Sequence, residues 1–159
     1  MAKDDTRQVE GPGSQWVTFN LDDETYGINV MQVQEVLPMT EIAPVPGAPA
    51  FVMGIINLRG NVVTVIDTRM RFGLTSNEPG PTSRIVVIET NDQIAGILVD
   101  SVAEVVEVKQ GEIDTAPNVG NEESARYIYG VVSRGNQLLI LIDVNKMLTK
   151  EEWQDVASL

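Results

Sequence analysis

Few side chains in this 159-residue sequence can do chemistry, and two versatile types are missing. There is no cysteine and no histidine. Disulfides, thiolate catalysis and Cys-based zinc sites are excluded. The usual general base and the commonest transition-metal ligand are gone as well. What remains is a set of carboxylates and arginines at recurring places. Asp22-Asp23-Glu24 has the charge to hold a cation, but the second copy has Thr90-Asn91-Asp92 at the same place, so the shared feature is a solvated hairpin turn. Glu35 and Glu104 would form an acid pair if they converged and burial kept one protonated. Otherwise each is an exposed charge bordering an apolar face. Asp67 and Asp143 stand where strand-end acids would, yet each precedes a short polar-apolar stretch, where an Asp is a good helix N-cap. Gly11-Pro12-Gly13 lacks the Lys-Ser/Thr of a phosphate loop and reads as a linker.

Arg59 and Arg134 pose a different problem. Residues 54–67 read GIINLRGNVVTVID and residues 130–143 read GVVSRGNQLLILID. The same Arg-Gly-Asn triplet sits between apolar runs in both. The Gly-Asn pair suits a two-residue hairpin turn with positive φ. Arg is enriched at binding hot spots, where its fork and long stem supply hydrogen bonds and area. Asn57-Leu58 precedes the first Arg and only Ser133 the second, so Arg59 is the stronger candidate for partner contact.

These side chains ride on a duplicated frame. Trp16–Leu37 laid on Ile85–Val106 at an offset of 69 residues matches Gly27 with Gly96, Val33 with Val102, Glu35 with Glu104 and Val36 with Val105. Gly54–Asp67 matches Gly130–Asp143 at an offset of 76, with Leu58 left without a counterpart and the register restored before the Asp. The reading is a tail over 1–14, units over 15–82 and 83–150 with strand exchange between them allowed, and a tail or short helix over 151–159. β-Branched and aromatic runs such as Trp16–Phe19 and Ile85–Ile88 predict strands. Met31–Val36 fits either a short helix or an irregular strand end. Pro44, Pro46 and Pro49 in one copy and Pro117 in the other predict irregular connections. Short helical turns are expected after Asp67 and Asp143. Many short strands without a long amphipathic helix predict an all-β fold of two small closed barrels that share an apolar seam.

Composition limits the partners. Net charge is −12, which repels nucleic acid and anionic lipid. No run approaches the roughly 20 apolar residues of a membrane span, and the polar N-terminus lacks a secretory h-region. The chain reads as cytoplasmic, with no direct insertion into a membrane.

The residues Tyr26-Gly27-Ile28, Val33-Gln34-Glu35-Val36, Pro49–Gly60 with its Gly-x-x-Asn-Leu-Arg-Gly string, and Val65-Ile66-Asp67 resemble the chemotaxis coupling protein family, CheW. Gly96–Asp100 and Gly130-Val131 with Leu139–Asp143 carry the likeness into the second half. The resemblance covers about residues 15–150. It implies two tandem SH3-like barrels. It also implies an adaptor with no catalytic activity and no cofactor or metal, linking the cytoplasmic tips of transmembrane chemoreceptors to the regulatory domain of the histidine kinase CheA. By the same resemblance Val33, Glu35, Gly54, Asn57, Leu58 and Arg59 lie on the receptor side of the first barrel, with Val102 and Val105 across a groove. The kinase is expected to pack chiefly on the second barrel. A ligand-binding barrel or small enzyme, using the groove as pocket and Glu35 or Glu104 as acid, is the competing reading.

Overall fold

The structure is a computed structural model and describes residues 13–90, 93–115 and 126–159. The strands are β1 (Gly13–Leu21), β2 (Glu24–Asn29), β3 (Val33–Pro38), β4 (Val52–Leu58), β5 (Asn61–Asp67), β6 (Arg84–Glu89), β7 (Ile94–Val99), β8 (Ser101–Lys109), β9 (Ile128–Arg134) and β10 (Gln137–Ile142). Helix α1 spans Thr68–Arg71 and α2 spans Lys150–Ala157. Most of the expected tail lies outside the described residues, but Gly13 and Ser14 already belong to β1. Pro117 also lies outside them. Met31–Val36 resolves into a 3-10 turn, Val30–Gln32, followed at once by β3.

Two five-stranded sheets form, in the orders β9-β10-β2-β1-β8 and β3-β6-β7-β5-β4. Each sheet takes strands from both sequence repeats. Among the described residues, four of the eight strand pairings join one half of the chain to the other: β1 with β8, β10 with β2, β3 with β6, and β5 with β7. A contiguous repeat unit is therefore not a sheet. The reason is local. The turn Val30–Gln32 carries the chain out of the first sheet before β3 can join β1, and the single residue Asp100 does the same between β7 and β8.

Each sheet closes on itself just beyond its edge strands. Ala43, downstream of β3, exchanges two backbone hydrogen bonds with Ile55 of β4, at 2.9 and 2.8 Å. Asp114, downstream of β8, does the same with Val131 of β9, at 2.9 and 2.8 Å. The closing chain passes so near that Gly54 has no room for a side chain. A Cβ there would lie 2.3 Å from the Ala43 carbonyl oxygen.

The apolar runs are long because the strands are buried on both faces. Leu139 and Leu141 face a core inside their own barrel with Trp16, Val108 and Val132. Ile140 and Ile142 face a core shared by the two sheets, with Phe19, Ile28, Val86, Ile97 and Met147. The other barrel encloses Ile56, Val63, Val65, Ile85 and Leu98. Each fully buried Leu or Ile contributes about 1.5–3 kcal/mol. Aromatic rings run across the shared core: Phe19 stacks on Tyr26 at 5.5 Å, Tyr26 meets Phe72 at 5.1 Å, and Phe72 stacks on Tyr127 at 4.5 Å.

The expected caps are present. Asp67 accepts from the Met70 N–H at 3.1 Å and starts α1. Asp143 accepts from the Asn145 N–H at 3.0 Å and starts the 3-10 turn Val144–Lys146. A capping box between Thr149 and Glu152 starts α2.

Candidate functional site

The β4–β5 hairpin tip is built by Arg59 and Gly60. The sequence placed the turn on Gly60-Asn61, but Asn61 is the first residue of β5 and pairs with Leu58. Both turn residues have positive φ, 52° at Arg59 and 89° at Gly60. That is the mirror-image turn whose twist matches a hairpin. The Asn57 side chain supports it by accepting the Gly60 N–H at 2.8 Å. Leu58 is half-buried and packs against the core of its own barrel. The left-handed backbone turns the Arg59 side chain outward.

The Arg59 guanidinium forks onto the carboxylate of Glu35, with Nη1 3.3 Å from Oε1 and Nη2 on Oε2. Glu35 lies on β3 and Arg59 on the tip beyond β4, so the pair spans the two edges of one sheet, which barrel closure has brought together. A register shift between Val33 and Glu35 marks a bulge there, and bulges re-aim side chains. The Arg59 side chain remains 68% exposed and Glu35 28%. The hydrogen bond from Arg59 holds the Glu35 carboxyl below the usual carboxylate range, and the nearby positive charge adds to the effect. A general acid needs a raised value, so Glu35 is unsuited to that role.

Val33 and Val102 occupy equivalent places in the two sheets. Val33 pairs with Ile88 and Val102 with Phe19, and both are half-buried against the shared core. Val36 and Val105 are likewise equivalent, 40% and 53% exposed. The sequence reading chose Val105 and passed over Val36, although the repeat itself offered it. Gly54 is buried at the strand start. Glu104 lies in the other sheet from Glu35, at a bulge of its own. Its N–H and C=O both bond to the Thr18 hydroxyl, at 3.0 and 2.7 Å. Arg134 serves its own barrel: Nη2 donates to the Glu107 carbonyl and lies 3.8 Å from the Glu112 carboxylate.

Two arginines of α1 were missed. Arg69 is buried, donating Nη2 to Asp22 at 2.7 Å, Nη1 to Asp100 at 2.6 Å and Nε to the Thr75 carbonyl at 2.8 Å. Asp22, read as part of a solvated turn, is thus held in an ion pair, though the turn itself is present. Arg71 donates to the Met147 carbonyl at 2.7 Å and to Glu152 at 3.1 Å, tying down α2. The only signal available was an Arg-x-Arg after the capping Asp67, and apart from Thr75 the partners lie tens of residues away in the chain. Among the described residues there is no group of three carboxylates placed to hold a metal. A cavity of about 450 Å³ lies between α2 and the β6–β7 turn, and one of about 220 Å³ at the mouth of the β1–β8 barrel. Arg59 lines neither.

Comparison with known proteins decides what such a scaffold is. A family model described as the CheW-like domain matches residues 15–152. The chain belongs to the CheW family. A chemotaxis protein CheW from Treponema pallidum (strain Nichols) is 37% identical over 91% of this chain and 88% of its own length. The CheW of Bacillus subtilis (strain 168) is 34% identical over 89% and 91%. Protein FrzA of Myxococcus xanthus is 32% identical over 92% of each. Among solved structures, the scaffolding protein TtCheW from Thermoanaerobacter tengcongensis superposes with a TM-score of 0.79 at 32% identity, covering 86% of this chain and 92% of that one. The CheW assignment agrees with the mostly β architecture and its two SH3-like barrels. This is a chemotaxis coupling or scaffold protein. Among the described residues no helix is long and apolar enough to cross a membrane.

Proposed function

We propose that the protein is a non-catalytic cytoplasmic adaptor that couples the cytoplasmic tips of transmembrane chemoreceptors to the regulatory domain of the histidine kinase CheA. The observation that carries this reading is the Glu35–Arg59 pair, its guanidinium exposed at a hairpin tip braced by Asn57, in a CheW-family chain. Arg59 adopts a left-handed backbone that costs a non-glycine residue conformational energy, and such strain gathers at functional surfaces. The partner surface comprises Val33, Glu35, Gly54, Asn57, Leu58 and Arg59, with Val102 and Val105 on the opposing sheet. Gly54, being buried, acts by letting the closing chain pass, and Asn57 by holding the turn. The apolar members give area to a helical partner, and the charged pair sets its register. Residues 15–82 and 83–150 are the two repeats, and each supplies strands to both barrels. Recruitment to membrane receptors runs through the partners.

The test is co-purification with a receptor cytoplasmic-tip fragment and, separately, with the isolated kinase regulatory domain. Binding of each is expected. Failure to bind either one would overturn the proposal.

A further inference from the structure

We propose that Arg69 is a positioning residue for the partner surface: it locks the start of β8 against the other sheet, and so sets where Val102 and Val105 stand relative to Val33, Glu35 and Arg59. This rests on the adaptor reading for its purpose, but the lock itself does not.

The chain crosses between the sheets twice: through Val30–Gln32 and through Asp100 alone. Arg69 sits in α1, on the connection from β5 to β6 within one sheet, and grips the second crossing. Its Nη1 lies 2.6 Å from Asp100 Oδ2, its Nη2 2.7 Å from Asp22 Oδ1, and its Nε 2.8 Å from the Thr75 carbonyl. The Asp22 N–H donates to the same Asp100 oxygen at 2.8 Å. Asp22 reaches it with a left-handed backbone, φ 54°. A planar guanidinium held at three acceptors fixes orientation as well as distance, and the Arg69 side chain is only 8% exposed. Asp100 is the residue before β8, and Val102 follows two places on.

The duplication supplies the contrast. At the offset of 69 residues Met31 stands where Asp100 does, and at the offset of 76 Asn145 stands where Arg69 does. Neither carries charge, so this lock has no counterpart at the first crossing, and Met31 is 84% exposed. Charge grips the crossing at Asp100, whereas the equivalent Met31 at the other crossing has no charge to offer. Loss of the guanidinium leaves Asp22 and Asp100 facing each other as like charges. It releases the start of β8 while the strand ladders and the three apolar cores, none of which contains Arg69, persist.

The chain has no cysteine, so spin labels go on cleanly at Asn61→Cys and Gln137→Cys, one exposed tip on each sheet. Pulsed dipolar spectroscopy then reads the distance between sheets in the full chain. Arg69→Met should broaden that distribution, and Arg69→Lys should do so less. Val63→Ala, which weakens one barrel's interior, should leave it unchanged at comparable loss of stability. In unlabelled protein Arg69→Met should lower affinity for the receptor-tip fragment roughly tenfold, within the range for a residue acting on a site it does not touch. An Arg69→Met distribution identical to that of Val63→Ala would overturn the lock. A broadened distribution with unchanged receptor affinity would overturn the positioning role. If the unsubstituted chain binds no receptor fragment, the adaptor reading falls, while the distance comparison still judges the lock. Should Arg69→Met fail to fold, Asp100→Asn gives the same comparison with the shape kept and the charge removed.

Discussion

Arg134 stands where Leu58 stands, and not where Arg59 stands. In the β4–β5 hairpin Leu58 pairs with Asn61, and in the β9–β10 hairpin Arg134 pairs with Gln137. The two hairpins superpose at a constant offset of 76 residues with no insertion, so the gap inferred at Leu58 does not exist. The Arg-Gly-Asn triplets are one residue out of register. The first hairpin turns on Arg59-Gly60, the second on Gly135-Asn136, where only Gly135 has positive φ. One arginine is thrown outward by the turn and the other ends a strand.

Arg59→Ala should therefore weaken binding to a receptor-tip fragment while the thermal midpoint barely moves, because the side chain is exposed and its pair is screened by solvent. Arg134→Ala should leave receptor binding intact. Isothermal titration of both variants, beside their melting curves, separates the roles. Equal loss in the two would show that the triplet matters and the turn register does not.

Glu35 provides a pH test. Because Arg59 holds its carboxyl below the usual range, the pair's contribution is fully present above the unfolded-state pKa. It is lost as pH falls through the depressed folded value. Carboxyl NMR titration should find Glu35 low in the unsubstituted protein and back near the ordinary value in Arg59→Ala. An unmoved titration would mean that Arg59 does not engage it in solution.

Gly54→Ala should destabilise the fold by roughly 3 kcal/mol, since the new methyl meets a backbone carbonyl that cannot yield. Gly130→Ala, whose methyl would lie 2.5 Å from Ile113 Cγ2 and 3.1 Å from the Asp114 carbonyl oxygen, should cost less, about 2 kcal/mol, because its nearest clash is with a side chain and not with backbone. Urea midpoints at unchanged slope give both values. The reverse order would mean that the closing strand at Ala43 is the softer of the two.

Tyr26 should ionise late. Burial, then the charges of Glu24 and Asp22, push its hydroxyl from 10.0 up to about 12. The folded state thus keeps a proton that the unfolded state releases. Its contribution is complete below pH 10 and declines as pH rises through the interval up to about 12. Phenolate absorbance should lose a late-titrating component in Tyr26→Phe.

The architecture was legible to the extent that it is periodic. Duplication, strand-rich composition and the capping Asp67 and Asp143 each leave a local trace, and each is present. The exchange of strands between repeats was not legible in detail, because β3 pairs with β6 for reasons of chain reach and not of residue type. The Arg59 turn was misplaced by one residue because Gly-Asn is the commoner turn pair, and here Arg took the left-handed position. Arg69 was invisible because its acceptors, Asp22 and Asp100, come together only after both sheets have formed. Val36 shares its repeat position and its exposure with Val105, a likeness the duplication already carried.

The strand exchange also sets an order of assembly on the ribosome. The sheet holding β3 to β7 can be completed once Val99 has emerged. The opening hairpin, β1 with β2, is made first yet must wait for β10, Gln137–Ile142, before its free side is covered. During that interval Phe19, Leu21 and Ile28 have no finished core to enter. The hairpin of β1 and β2 precedes the other described strands in synthesis yet waits for the final strand, and nascent chains stalled between the two repeats should be the form that chaperones hold most tightly.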